Sequence, residues 1–186
     1  SGLVMLLLWF SSGHVQVLFW LSSVSVQVLF SFWYGPVHVL CRSWSGSVLL
    51  LFCFCSASVL LLFRSCHGSA LVLSRFCSGP VQFMVRSCYG SVLVLFCVCS
   101  SSVQVQVWFC SASLLVMFRS CSASVLLLFC FCFASVQLLF WSCSGSVLLL
   151  FKFWYGSLLI LFRSCDASSL VLFWSCSGPV LVIFCV

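Results

Sequence analysis

The sequence has almost no charge, and it contains no threonine, asparagine or glutamate. Charged residues make up 4% of the chain, against about 25% in typical domains. The only carboxylate is Asp166, which excludes a paired-carboxylate mechanism and an oxygen-rich calcium or magnesium site. Seven basic side chains and one acidic one cannot give a globule of 186 residues a polar exterior. The composition therefore fits no ordinary soluble class.

The patterns that enzymes need are also missing. The sequence has no glycine-rich phosphate loop, and no nucleophile is accompanied by a plausible activating partner. Cys66 precedes His67, but neighbouring residues of a strand point to opposite faces. The sequence divides into units of eleven residues, and His14, His38 and His67 lie at positions three, five and one of their units. They therefore share no role. We predict a chain that is not an enzyme, with no catalytic residues, cofactor, metal site or small-molecule substrate.

The chain consists of one short sequence unit that is repeated in tandem. Stepping by eleven residues from Ser1 gives sixteen full copies and a ten-residue remnant, 177–186, without insertion or deletion. The stretch SASVLLLFRSC, residues 56–66, represents the unit. Numbered from one to eleven, position four is Val in thirteen copies, position seven is Leu in thirteen and position eight is Phe in twelve. Residues 1–186 are thus a single tandem array, with no domain boundary or linker.

The differences between copies follow single-base codon changes more closely than side-chain chemistry. Position nine varies among Trp, Arg, Cys, Ser and Lys, and position five alternates between Leu and Gln. An unpaired buried amide costs about 1–3 kcal/mol. Either position five lies on a surface that tolerates both Leu and Gln, or the copies have not been selected for folding. We infer a translated, minisatellite-like array of a thirty-three-base unit, adenine-poor in its coding strand.

The residue types in each copy predict an all-β chain of short, repeated strands. Ser-Gly, Ser-Ala or Tyr-Gly starts suggest turns, and the Val- and Phe-rich remainder is typical of strands. Two arrangements are open, a solenoid and an antiparallel meander with two-residue turns. The meander would place positions three, five, seven, nine and eleven on one face and would set Arg75 opposite Gln82. We also expect no conventional sequestered core.

A helical alternative competes with the strands. Eleven residues complete about three helical turns, and charge-free runs such as 87–118 and 120–151 exceed the ~20 residues that cross a bilayer. An α-helical multispan membrane bundle is therefore the second fold hypothesis. Localisation is unknown, and would be the membrane if the chain inserts.

Cysteine is the one reactive residue type that is abundant. The chain has sixteen cysteines, and eleven of them lie at position eleven of the unit. Only a parallel solenoid, with coils about 4.8 Å apart, would bring successive cysteines within disulfide range. The simpler interpretation is reduced, buried cysteine that packs as a small apolar residue. Three Cys-x-Cys pairs lack the spacing of structural zinc sites: Cys53 with Cys55, Cys97 with Cys99, and Cys130 with Cys132.

The net charge of +6 is spread along the chain, because all seven cations lie at position nine. Successive copies supply at most three in a row, Arg64, Arg75 and Arg86, whereas nucleic-acid binding usually needs a dense basic face. We predict no nucleic-acid partner. The partners expected are a lipid bilayer or further copies of the chain.

The sequence begins at Ser1 rather than Met, which suggests a fragment or processed product, and no secretory signal is recognisable. Three functions stay open at this point. They are a translated repeat without a selected role, a multispan membrane protein, and an aggregation-prone structural β-assembly.

Overall fold

A computed structural model of the chain describes residues 2–9, 12–20, 23–42, 45–65, 67–111, 113–164, 166 and 168–185. Within these residues the backbone forms strands and no helix, so the all-β prediction is confirmed and the helical-bundle alternative is wrong. None of this part of the chain forms a helix that could span a bilayer. The strands are β1 (Leu3–Leu8), β2 (Val15–Phe19), β3 (Ser25–Trp33), β4 (Val37–Cys41), β5 (Val48–Cys55), β6 (Val59–Phe63), β7 (Ala70–Cys77), β8 (Val81–Val85), β9 (Val92–Cys99), β10 (Val103–Cys110), β11 (Leu114–Cys121), β12 (Val125–Cys132), β13 (Val136–Phe140), β14 (Val147–Tyr155), β15 (Leu158–Arg163), β16 (Ser169–Ser177) and β17 (Val180–Cys185).

Successive strands alternate between two parallel sheets. The odd-numbered strands form a nine-stranded sheet and the even-numbered strands an eight-stranded sheet, here called the first and second sheets. Each strand pairs with the next but one, so that Val4 lies beside Val26 and Val26 beside Val48. One coil therefore consumes two copies of the repeat, and the chain is a β-solenoid of about eight coils.

The antiparallel meander is wrong, because consecutive copies do not pair with each other. Arg75 lies in β7 of the first sheet and Gln82 in β8 of the second. A two-residue hairpin can join only antiparallel strands, whereas parallel strands need a crossover. Here the copy in the opposite sheet is that crossover. The period of two copies was hidden because the two halves of a coil are almost the same sequence.

The inner sides of the two sheets enclose a continuous apolar core. Positions four, six and eight point inward, as in β9, where Val92, Val94 and Phe96 are at most 3% exposed while Leu93 and Leu95 are half-buried. The expectation that no sequestered core would form is wrong. Coiling lets each sheet cover the inner side of the other, so the core does not depend on a polar exterior.

Position eleven also points inward in ten of the eleven copies in which the structure describes it, because the backbone bends at positions nine and ten. In β10 the buried Val107 is followed by the exposed Trp108 and Phe109 and then by the buried Cys110. Two outward residues in succession break the strict alternation of a strand. The assignment of position eleven to the same face as positions five, seven and nine is therefore wrong.

In-register stacking places like side chains above one another. In the first sheet, the rings of Phe96, Phe118, Phe140, Phe162 and Phe184 form a column with centroid separations of 4.8–5.1 Å. These separations match the ~4.8 Å between neighbouring strands. The column is interrupted at Ser74, a buried serine at position eight that pairs with Phe52 and Phe96.

Candidate functional site

The outer side of the first sheet carries two parallel columns of apolar side chains. They come from positions five and seven, which alternate with the buried positions and therefore point away from the core. We call this surface the leucine face. Its members are Met5, Leu7, Gln27, Leu29, Leu49, Leu51, Leu71, Leu73, Leu93, Leu95, Leu115, Met117, Gln137, Leu139, Leu159, Leu161, Leu181 and Ile183.

Position seven is as uniform as the core, although it faces outward. With the remnant included, Leu occupies it in thirteen of seventeen copies, the same number as Val at the buried position four. Position five, on the same outer side, accepts Gln or His, as at Gln104 and His38. Burial explains the uniformity of position four, but it does not explain that of position seven, whose side chains are largely half-buried in the chain itself.

The two columns form ridges with a groove between them. Near the start of the chain, the groove is lined by Met5, Leu7, Gln27, Leu29, Leu49 and Leu51. Neighbouring leucines in a column stand about one strand spacing apart, ~4.8 Å, so each ridge is closely packed along its length. A regular apolar ridge beside an apolar groove is a shape that a second, similar surface can fit.

The outer side of the second sheet is more polar. Gln82 and Gln104 stack on neighbouring coils with an Nε2 to Oε1 distance of 3.5 Å, and Gln106 replaces the leucine of position seven.

Two of the three histidines are in contact with each other. The distance between His14 Nε2 and His38 Nδ1 is 3.4 Å. Their separate positions in the repeat gave no sign of this contact. His67 stacks instead on Tyr89, 4.9 Å between ring centroids, and Cys66 lies outside the described residues.

Three arginines form a column at the carboxyl ends of strands β4, β6 and β8 of the second sheet. The backbone N–H groups of Arg42, Arg64 and Arg86 donate to the carbonyls of Phe19, Cys41 and Phe63 on the preceding coils, which fixes the arginines one above another. The guanidinium of Arg42 lies 5.0 Å from the centre of the Trp20 ring. Arg75, which separates Arg64 from Arg86 in the repeat order, belongs to the other sheet.

Comparison with family models, with curated proteins and with solved structures gave no match. The function has to be inferred from the surfaces and side chains of this chain.

Eight of the described cysteines at position eleven form two buried columns inside the solenoid. In the first sheet, Cys55, Cys77, Cys99, Cys121 and Cys143 stack on successive coils, each paired with the next. We call this set the cysteine ladder. A second column contains Cys88, Cys110 and Cys132. Cysteines eleven residues apart lie in different sheets, so the neighbours in space are those one whole coil apart.

The bend at positions nine and ten separates the two thiols of each Cys-x-Cys pair. Cys97 lies on the outer side and is half-buried, whereas Cys99 is 1% exposed inside the core. The described residues contain no group of three or more His, Cys, Asp or Glu side chains placed to hold a metal ion. The two thiols of such a pair therefore face opposite sides of the strand.

The stacked thiols of the ladder influence one another's protonation. Interaction with the thiol of Cys121, and to a smaller extent with that of Cys77, lowers the pKa of Cys99. The same contact with Cys99, followed by burial, raises the pKa of Cys77. Cys55 lies on the coil before Cys77, and burial raises the pKa of Cys55 to about 12. Negative charge in the ladder is therefore favoured at Cys99.

Proposed function

We propose that this chain is a non-catalytic structural β-solenoid that assembles with further copies of itself through the leucine face. The observation that supports this most directly is the leucine at position seven, which is as constant as the core yet points out of the fold. In the first sheet this outward column stays apolar through all nine strands, which suits a surface that is covered in the assembled state.

The size of the leucine face is sufficient for a stable contact. Nine strands at ~4.8 Å spacing extend about 38 Å, and five residues of strand add a width of about 16 Å. Two such faces in contact would bury roughly 1,200 Å² in total, which reaches the lower limit of about 1,200–2,000 Å² for specific protein interfaces. Because almost all of this area is apolar, its burial is favourable.

The relief of the leucine face also favours a second copy as its partner. Ridges of stacked leucine can interdigitate with the grooves of an identical surface, as side chains do in dry interfaces between paired sheets. The polar Gln82, Gln104 and Gln106 make the outer side of the second sheet less suited to such a contact. A lipid bilayer could also cover leucine, but it would not require ridges in register.

Two lysine substitutions on the leucine face test the assembly. Leu73 and Leu95 are paired on neighbouring coils at the middle of the face. We expect Leu73→Lys with Leu95→Lys to convert sedimenting wild-type assemblies into single chains, because the charges would be buried in an apolar contact. Sedimentation velocity after refolding by dilution measures the change, and a strand-type circular dichroism spectrum establishes that the variant is folded.

The matched control places the same residues on the second sheet. Leu128 and Leu150 are also paired, half-buried leucines of position seven, and we expect Leu128→Lys with Leu150→Lys to sediment like the wild type. Equal dissolution of both variants would contradict the assignment to the leucine face. Flotation of wild-type single chains with phosphatidylcholine vesicles, in place of assembly, would favour the bilayer as the partner.

The proposed minisatellite-like origin describes how the array arose. The hypothesis that competes with the structural role is that no role of the chain was ever selected. The coding DNA separates the two. Without selection, replacement changes among copies should be as frequent at codons for the inward positions four, six and eight as at the outward positions five and nine. Under the structural role, silent changes should predominate at the inward positions and at position seven.

A further inference from the structure

The cysteine ladder brings together thiols that are far apart in the sequence. Cys77 and Cys99 occupy paired positions of β7 and β9, and both are at most 3% exposed. Paired residues on parallel strands lie about 4.8 Å apart, within the Cα separation of about 4.4–6.8 Å at which disulfides form. Both side chains point into the core, so the two sulfurs are neighbours on successive coils.

A groove on the surface leads to this part of the ladder. It is lined by Trp33, Phe54, Cys55, Cys77, Val98 and Ser100, among others. Cys77 contributes to its wall, and the residues on either side of Cys99 do so too. The hydroxyl of Ser74 lies 2.8 Å from the Cys77 sulfur, so this thiol already has a polar neighbour. A small molecule in the groove would meet Cys55 and Cys77, and Cys99 lies beside Cys77 on the following coil.

We propose that Cys77 and Cys99 form an oxidation site, at which a small-molecule disulfide in the groove converts the two stacked thiols into a disulfide joining successive coils. This proposal does not depend on assembly through the leucine face. It assigns a modification site to side chains that the structural role leaves unused. The cross-link would close a loop of 22 residues, the separation of paired positions in successive coils, and would restrain two coils against separation.

The reaction proceeds by two thiol–disulfide exchanges. Loss of the Cys77 proton to water in the groove leaves a thiolate on Cys77, and the second small thiolate, released in the last step, takes up a proton in turn. That thiolate attacks the small disulfide, forming a mixed disulfide and releasing one small thiolate, which takes the proton from Cys99. The Cys99 thiolate then attacks the Cys77 sulfur and expels the second small thiolate. Two protein sulfurs are oxidised, and one small disulfide is reduced to two thiols.

Peptide mapping of the folded chain after exposure to glutathione disulfide tests the site. Unreacted thiols are alkylated, the chain is cleaved after arginine, and linked peptides are identified by mass spectrometry. We expect the main product to join the peptide with Cys77 to the peptide with Cys99. Oxidation should also raise the midpoint of thermal unfolding by about 5–10 °C, because the cross-link restrains the unfolded chain.

The variants Cys99→Ser and Cys97→Ser form a matched pair, since the two cysteines belong to one Cys-x-Cys pair but lie on opposite sides of the strand. We expect Cys99→Ser to abolish both the link and the thermal shift, and Cys97→Ser to retain both. The proposal is overturned if the folded chain mainly links Cys97 to Cys99 or Cys88 to Cys99. It is overturned equally if the folded chain does not react while the urea-unfolded chain does.

Discussion

Replacing Val94 with aspartate is expected to unfold the solenoid. Val94 is completely buried in β9, between Val72 and Val116 on the neighbouring coils. The cations of the chain lie at the outward position nine, so a carboxylate at position six would have no partner. We expect a loss of at least about 4 kcal/mol, which is most of the stability of an ordinary domain. Urea unfolding followed by circular dichroism measures it.

The control for this substitution lies on the outer side of the second sheet, away from the leucine face. Leu128 points outward and is half-buried, so Leu128→Asp should cost only about 1 kcal/mol through the poor strand propensity of aspartate. The Val94→Asp variant should regain stability at low pH. Burial raises the pKa of a carboxyl, so the variant is most stable below the normal pKa of about 4 and loses stability as the pH rises through the raised pKa of its folded state. Equal effects at residues 94 and 128 would contradict the inward assignment of position six.

Deleting one residue is expected to be more damaging than deleting a whole coil. Removal of Leu95 shifts the rest of β9 by one residue, so that Phe96 turns outward and Cys97 turns inward. The cost should reach at least the ~3–5 kcal/mol of removing a buried phenylalanine side chain. Removal of residues 78–99 instead takes out two complete copies and leaves β10 to stack on β6 and β11 on β7, in the same register.

The midpoint of urea unfolding distinguishes the two deletions. We expect the chain without residues 78–99 to unfold close to the wild-type midpoint, because repeat proteins depend on contacts between neighbouring repeats. The chain without Leu95 should unfold at much lower urea. If the shorter chain lost its fold while the single deletion was tolerated, the pairing of next-but-one strands would be wrong.

The strand content and the tolerant outer surface could be predicted from the sequence. Valine and phenylalanine in every copy indicate strands, and glutamine at position five, as at Gln82 and Gln104, indicates a side chain that is not enclosed in the core. Both predictions depend on local properties of the unit. They hold for either arrangement of the strands.

The period of the coil and the cysteine ladder could not be predicted in the same way. Positions nine and ten vary from Trp108-Phe109 to Arg119-Ser120, so the copies share no common signature at the bend. Under strict alternation, Cys110 would belong to the outer side. The choice between antiparallel neighbours and parallel next-but-one pairs depends on contacts between distant copies, and the near-identity of the copies conceals which of them meet.

The distance between nitroxide labels on the second sheet tests the two-copy coil most directly. Labels carried by keto amino acids avoid the cysteines, and dilution with unlabelled chain removes contacts between copies. With labels at Gln82 and Gln104, one coil apart and hydrogen-bonded, we predict strong dipolar broadening of the electron paramagnetic resonance spectrum. With labels at Gln82 and Leu93, one repeat apart but on opposite outer faces, we predict weak broadening. Stronger broadening for Gln82 and Leu93 would contradict the solenoid.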